Sequence, residues 1–262
     1  MIRSHSWLLI GFLLPFTAWH PAGKPRAFDA GITERTALSD ALVDKQERAA
    51  ENGVLEGYIR YRGNPPRPAK LPVTLDRYRC GSADKMSKAL LIGRKKGIEN
   101  VVVLLAPEAS DPVDELDSRR YTMDQIQCEF TPHVLVVPAG ATVDFLNSDD
   151  ILHNVNAESS ANPAFNRAQP NSETPISRAF QFPEAIPIQC FVHSWMQAWV
   201  FVTDKPYFTL TDSNGFFRIE GVPSGLTTLT VWHESLGEIT QGVTISPEDP
   251  TTIELFLGPL AQ

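Results

Sequence analysis

Four side chains near the middle of the chain combine the donor types of a mononuclear copper site: His153, Cys190, His193 and Met196. The last three belong to one compact segment, Cys190-Phe-Val-His193-Ser-Trp-Met196, and the first follows a strand-like run upstream. A thiolate and two imidazoles suit a trigonal plane around copper, and a thioether supplies a weak axial contact. The coordination geometry that this donor set provides lies between the geometries that Cu(I) and Cu(II) prefer. The spacing therefore predicts one type 1 copper ion that changes oxidation state.

The seven-residue segment alone has a second interpretation, because Cys, His and Met can fall at this spacing in a structural loop. The upstream sequence His153-Asn154-Val155 favours the metal, since two separate pieces then match in the correct order. A vacant site and a zinc site remain the alternatives. Zinc prefers tetrahedral sets without a thioether, so Met196 argues against zinc.

Composition limits the class of protein. The 262 residues are 42% hydrophobic, which is enough for ordinary cores. The formal net charge is -8, and no Lys/Arg run stands out beyond Arg94-Lys-Lys96. These features exclude nucleic acid as the expected partner and favour a cationic or weakly charged protein.

The N-terminal residues have the pattern of an export signal, with Arg3 before an apolar run at residues 7–18. We expect residues 1–23 to be a signal peptide, with an uncleaved N-terminal anchor as the alternative. Residues 24–52 are expected to form a linker or one short amphipathic helix. In either case the remainder is predicted to lie outside the cytoplasm, in the periplasm or at the cell surface.

The three cysteines fit that location. If Cys190 binds a metal, Cys80 and Cys128 are left as a pair, and an oxidising compartment favours a disulfide between them. Two free buried thiols are the alternative.

The fold class is predicted to be all-β, because no sustained helical period is present and short β-branched runs alternate with turns. Strands are predicted over residues 54–62, 98–105, 130–137, 142–146, 176–182 and 198–203. Asn214-Gly215 between two apolar runs predicts a hairpin over residues 207–219, with two more strands within 241–257. Residues 156–176 are rich in Asn, Ser and Pro and are expected to be an irregular connection.

Two pieces of sequence resemble the cupredoxins, over residues 123–203. The first is Phe130-x-Pro-x-Val-x-Val-x-x-Gly140-x-x-Val-x-Phe-x-Asn147 followed by His153-Asn154-Val155, and the second is Cys190-x2-His193-x2-Met196, which resembles the amicyanin-type ligand loop. The resemblance implies a Greek-key cupredoxin sandwich over residues 118–205.

The resemblance also implies a role for each site residue. His153 and His193 would bind copper through imidazole nitrogen, with Cys190 as the thiolate. Met196 would be the axial ligand, and Asn154 would hydrogen-bond across to the cysteine segment, an outer contact that orients ligands.

A second resemblance covers residues 53–110 and 206–258, which are similar to two halves of a carboxypeptidase-regulatory-like, prealbumin-type β-sandwich. Gly53-Val-Leu-Glu-Gly57 and the Asn214-Gly215 region carry it. It implies that the copper domain is inserted into this sandwich. The combination resembles bacterial proteins labelled methylamine-utilisation proteins.

The expected function is one-electron transfer, without enzymatic activity, to a redox partner such as a c-type cytochrome or a dehydrogenase. A copper carrier or sensor, or a surface binding module, is the alternative. A copper enzyme needs a second histidine cluster, and only His133 and His233 remain unassigned outside the N-terminal region. We expect both to be structural, with a second metal role for His133 as the alternative. Trp195 is expected either to pack or to form an apolar rim, around an exposed His193 edge, at which the partner docks.

Overall fold

The computed structural model describes residues 52–107, 119–170 and 174–259. The predicted export signal and the linker up to residue 51 lie outside these residues. Within the described part of the chain, no helix has the length and hydrophobicity needed to cross a membrane.

The described residues form strands joined by turns, with one short helix, α1 (Arg77–Cys80), and one 3-10 turn at Arg94–Lys96. The strands are β1 (Asn52–Tyr61), β2 (Lys70–Leu71), β3 (Lys85–Met86), β4 (Val102–Pro107), β5 (Arg120–Ile126), β6 (Glu129–Thr131), β7 (Val134–Pro138), β8 (Thr142–Asn147), β9 (His153–Ala157), β10 (Phe165–Gln169), β11 (Ile176–Ala179), β12 (Glu184–Gln189), β13 (Gln197–Thr203), β14 (Tyr207–Leu210), β15 (Phe216–Pro223), β16 (Gly225–His233), β17 (Gly237–Ile245) and β18 (Thr251–Leu257). The all-β prediction is confirmed.

Strands β5 to β13 form what we call the central sandwich. One sheet has the order β10-β9-β12-β13-β7 and the other the order β11-β8-β5-β6. Alternation along β8 shows how the core forms, because Val143 and Phe145 point inward and are fully buried. They pack in one cluster with Ile188 and Val200 from the opposite sheet. This core supports the loops at the end of the sandwich.

The remaining long strands form what we call the flanking sandwich, with sheets β15-β1-β18 and β14-β4-β16-β17. Its core includes Leu55, Leu105 and Val231. The chain leaves this sandwich after β4 and returns with β14, which pairs antiparallel with β4. The strands of the central sandwich therefore lie, in chain order, between two neighbouring strands of one flanking sheet.

Strand β4 is buried on both faces. Val103 and Leu105 belong to the flanking core, whereas Val102 and Leu104 pack with Val134 and other residues of β7 and β13. A strand covered on both sides reads as a continuous apolar run, which is why this strand was predictable. It starts later than predicted, because the chain turns at Asn100, which has a positive φ of 64°.

The hairpin predicted over residues 207–219 is wrong. Strand β14 pairs with β4, whereas β15 pairs with β1 in the opposite sheet. Of the Asn214-Gly215 pair only Gly215 has a positive φ, so the turn is not the type I′ turn that joins hairpin strands. Directly after β14, the Thr211 hydroxyl donates to Ile98 O (2.7 Å) and accepts from Val101 N (2.9 Å), which ties the chain to the segment before β4.

Candidate metal centre

The four predicted ligand residues meet at one end of the central sandwich. His153 begins β9, and the other three lie in the loop that joins β12 to β13. This loop is closed by Cys190 N–H donating to Met196 O (3.2 Å) and Met196 N–H donating to His193 O (2.9 Å). All four are buried, with exposed fractions of 0 to 2%.

Three donor atoms form a triangle. Cys190 Sγ lies 3.9 Å from Nδ1 of His153 and 3.9 Å from Nδ1 of His193, and the two nitrogens are 2.9 Å apart. A trigonal ion with N ligands at about 2.0 Å and S at about 2.3 Å gives N···S separations of about 3.7 Å and N···N of about 3.5 Å. The two observed N···S distances are close to this value. The observed N···N distance of 2.9 Å is shorter than the value for a bound ion, so binding would move the two nitrogens apart. Met196 is packed in the same buried cluster as Cys190. The residues present fit a copper ion.

The sulfur of Cys190 is held by hydrogen-bond donors. Asn154 N–H lies 3.5 Å from Sγ, and Asn154 Oδ1 accepts from Phe191 N (2.7 Å), so Asn154 ties β9 to the ligand loop. Burial raises the pKa of the Cys190 thiol, but hydrogen bonds from the two histidines and Asn154 outweigh burial and lower it to about 6. The site therefore favours the thiolate, which is the form that binds metal.

Asp149 orients the ring of His153. Its Oδ2 lies 3.1 Å from His153 Nε2 and accepts the N–H of Cys128 (2.6 Å), and its Oδ1 accepts the N–H of Gln127 (2.6 Å). Burial raises the pKa of Asp149, but these bonds outweigh it and hold the pKa below its usual range. Burial likewise lowers the pKa of His153, and the Asp149 bond reverses the effect and raises it. Asp149 is 4% exposed, so its carboxylate faces the site and not solvent.

Asp76 holds His193 in the same way, from a different part of the chain. Its Oδ2 lies 3.0 Å from His193 Nε2. Asp76 precedes α1 with a φ of 46° and makes no side-chain bond to the helix, since its carboxylate is directed to His193. A non-glycine residue at positive φ is uncommon and points to a local requirement. With carboxylates on both rings, each Nδ1 is left facing Cys190.

The exposed histidine edge expected at this site is absent among the described residues. His193 is 0% exposed, and Trp195 is 6% exposed. The indole N–H of Trp195 donates to Cys128 O (3.0 Å), and its ring centroid lies 5.0 Å from that of His193. The docking rim predicted around Trp195 is therefore wrong, and its packing interpretation holds. Sequence reasoning missed the cause, which is the segment that carries Asp76.

Cys80 and Cys128 form the predicted disulfide, and Cys190 is free. The bond joins the end of α1 to the loop between β5 and β6, next to the N–H groups that Asp149 binds. It attaches the segment carrying Asp76 to the end of the central sandwich that holds the centre. A second cluster of Cys128, Asp149 and His153 offers no thiolate, because Cys128 is oxidised.

His133 and His233 lie at the contact between the two sandwiches, and neither belongs to a metal-holding group of the described residues. His133 Nε2 bonds a carboxylate oxygen of Glu234, and Trp199 Nε1 donates to the other oxygen at 2.9 Å. The fold brings Glu234 to His133 from 101 residues away, a contact that no sequence spacing indicated. His233 is buried beside them.

No protein-family model matches the chain, and no curated protein matches it. Amicyanin from Paracoccus versutus is 17% identical over 38% of this chain and 97% of its own, with a TM-score of 0.29. A purple cupredoxin from Nitrosopumilus maritimus is 20% identical over 33% of this chain and 100% of its own (TM-score 0.28). The copper-containing nitrite reductase of Thermus scotoductus SA-01 is 21% identical over 37% of this chain and 25% of its own (TM-score 0.29). At TM-scores this low the matches decide nothing about ligand or function, and the chemistry follows from the site's own side chains.

Replacing Asp76 with asparagine is expected to lower copper affinity by about 10-fold, since outer carboxylates orient ligand histidines and raise their basicity. Asparagine tolerates the positive φ and removes only the charge. Competition against a chromophoric chelator measures the affinity. Asp84→Asn is the matched control, because Asp84 is exposed, follows α1 and loses the same charge. Equal affinities for the two variants would contradict the role of Asp76.

Proposed function

We propose that the protein binds one type 1 copper ion and transfers single electrons between protein partners outside the cytoplasm. The observation that carries the proposal is the triangle of Cys190 Sγ and the two histidine Nδ1 atoms, with a buried methionine in the same loop. Copper bound there would supply a one-electron couple between Cu(I) and Cu(II).

The chain's own residues support a centre that keeps its geometry. Asp149 and Asp76 fix the rings of His153 and His193, and Asn154 fixes the thiolate. Buried, hydrogen-bonded ligands leave little room for rearrangement when the charge of the ion changes.

Burial also favours electron transfer over the carrier alternative. A carrier must hand over its ion through ligand exchange, which needs an accessible ligand, whereas an electron crosses a thin layer of protein. All four proposed ligands are at most 2% exposed. Rapid copper transfer to a chelator, with no electron exchange with cytochrome c, would support the carrier instead.

Adding Cu(II) to the purified protein is expected to produce the intense blue absorption of a copper–thiolate bond, and Cys190→Ser is expected to abolish it. The reason is that Cys190 is the free cysteine and the one thiolate in the triangle. Electronic and paramagnetic-resonance spectra report the ligand set. His133→Gln is the control and should keep the band, since His133 lies outside the centre. If the band is absent under every loading condition, the proposal is contradicted.

A further inference from the structure

The segment between β1 and β4 has a charge opposite to that of the whole protein. Residues 62–97 contain ten Lys or Arg and only two acidic residues, in a chain whose formal net charge is -8. The basic residues are Arg62, Arg67, Lys70, Arg77, Arg79, Lys85, Lys88, Arg94, Lys95 and Lys96. The acidic excess therefore lies elsewhere in the chain.

Part of this basic segment lies over the candidate metal centre. Asp76 contacts His193, and Arg79 Nη2 donates to Ser148 O (3.2 Å), in the loop that leads to His153. Lys85 Nζ donates to Gln127 O (2.8 Å), beside the disulfide. Three contacts and one covalent bond thus hold the segment on the end of the sandwich where the ligands meet.

The outer surface of this cover, which we call the cap face, consists of Leu75, Arg77, Tyr78 and Arg79. Tyr78 is 82% exposed and Leu75 is 51% exposed. Arg77 and Arg79 are also exposed, and each guanidinium is anchored by a backbone carbonyl, Val73 O at 2.9 Å for Arg77. A carbonyl fixes the position of a guanidinium without neutralising its charge.

Acidic residues near the cap face do not cancel this charge. The carboxylate of Asp76 is turned inward to His193. Asp84 and Asp150 are exposed, on the basic segment and on the loop that Arg79 contacts. Asp124 also lies here, because its carboxylate accepts from the N–H and hydroxyl of Ser148. Among the described residues no carboxylate forms an ion pair with Arg77 or Arg79, whose guanidinium groups bond backbone carbonyls instead. The charged groups of the cap face itself are therefore two unpaired cations.

We propose that the cap face is the docking surface for an acidic redox protein; this inference rests on the proposed electron-transfer function. Rim charges accelerate association with a partner of opposite sign, and an exposed aromatic at the centre gives a contact that is small enough to release. From the cap face, Asp76 is the residue that reaches His193. The net charge of -8 predicted a cationic or weakly charged partner, but Arg77 and Arg79 on the cap face carry the opposite sign.

The first test maps anion binding on the unaltered protein without copper. Hexacyanochromate(III), a redox-inert paramagnetic trianion, is added, and the broadening of each backbone amide signal is measured by NMR. We expect the strongest broadening at residues 75–79 and in the loop around Ser148. Broadening centred on Arg94–Lys96, or spread evenly over all basic residues, would overturn the proposal. If the anion binds the cap face but copper gives no blue band, electron transfer fails and the anion-binding surface stands.

The second test reverses the charge in the copper-loaded protein. Arg77→Glu with Arg79→Glu is expected to slow oxidation by ferricyanide about 10-fold at low ionic strength and to accelerate oxidation by the cation tris(1,10-phenanthroline)cobalt(III). Arg94→Glu with Lys95→Glu is the matched control, because it makes the same charge change on a turn held by Arg60 of the flanking sandwich. Equal rate changes for the two pairs, or none for the cap pair, would refute the docking surface. The NMR test keeps the proposal falsifiable if the cap variant does not fold.

Discussion

Replacing both Cys80 and Cys128 with serine is expected to lower the free energy of unfolding by about 4 kcal/mol, the chain-entropy estimate for a loop of this length. The two residues are 48 positions apart, and the loop between them includes β3, β4 and β5. The variants are best compared in a Cys190→Ser background, so that no free thiol can exchange. Guanidinium denaturation of the copper-free proteins measures the difference. A loss below about 1 kcal/mol would show that noncovalent contacts hold the segment without the bond.

The same double replacement is expected to uncover His193. Asp76 stands four residues before Cys80, and the disulfide ties this short stretch to the loop beneath it. Modification by diethyl pyrocarbonate should therefore reach His193 in the variant and not in the parent protein. His133 serves as an internal reference, because its carboxylate contact does not depend on the disulfide. Unchanged protection of His193 would mean that Asp76 holds the cover by itself.

The ligand set was predictable because its chemistry is local in sequence. Cys190, His193 and Met196 fall within seven residues, and the pairing of β12 with β9 brings in His153. Strand-like runs next to each of these sequence segments indicated where the ligand-bearing loops would lie. Two features could be identified only from the three-dimensional fold. They are the hydrogen bonds that stabilise the thiolate and the neighbours that orient the two histidine rings.

Asp76 could not be predicted, because it lies 117 residues from His193 and no periodic pattern connects them. No strand or helix was predicted for its segment, residues 63–97. The same omission explains the error at Trp195, which packs in one buried cluster with Val73 and Cys80 of this segment. An aromatic residue in a ligand loop is exposed or buried according to what the rest of the chain places above it.

The fold was predicted where strands are apolar and missed where they are not. Strand β10 was taken as an irregular connection, because it lies at a sheet edge and three of its five residues are exposed. Strand β12 contains Pro187, which weakens the strand signal. In the hairpin error, the local turn sequence was outweighed by the pairing of β14 and β15 with two different sheets.

Acidification from pH 7 to pH 4 is expected to destabilise the protein by about 3 kcal/mol through His233 alone. Burial lowers the pKa of this histidine to about 4, with His133 lowering it further and Glu234 acting in the opposite direction. His233 is 2% exposed, and its Nδ1 accepts the N–H of Ser235 (3.2 Å), a bond that only the unprotonated nitrogen can make. The folded protein therefore keeps this ring neutral.

The sign follows from proton uptake. Well above pH 6.5 both states hold His233 neutral, so its contribution does not change. As the pH falls through 6.5, the unfolded chain binds a proton that the folded protein does not bind until about pH 4. Stability consequently falls throughout this window. Because Asp149 and His153 also titrate with shifted pKa values, the informative quantity is the difference between the parent protein and His233→Gln, measured by urea denaturation at successive pH values. The free energy of unfolding of His233→Gln should therefore fall less steeply between pH 6.5 and pH 4 than that of the parent protein. If the two free energies fell in parallel with pH, the assignment to His233 would be contradicted.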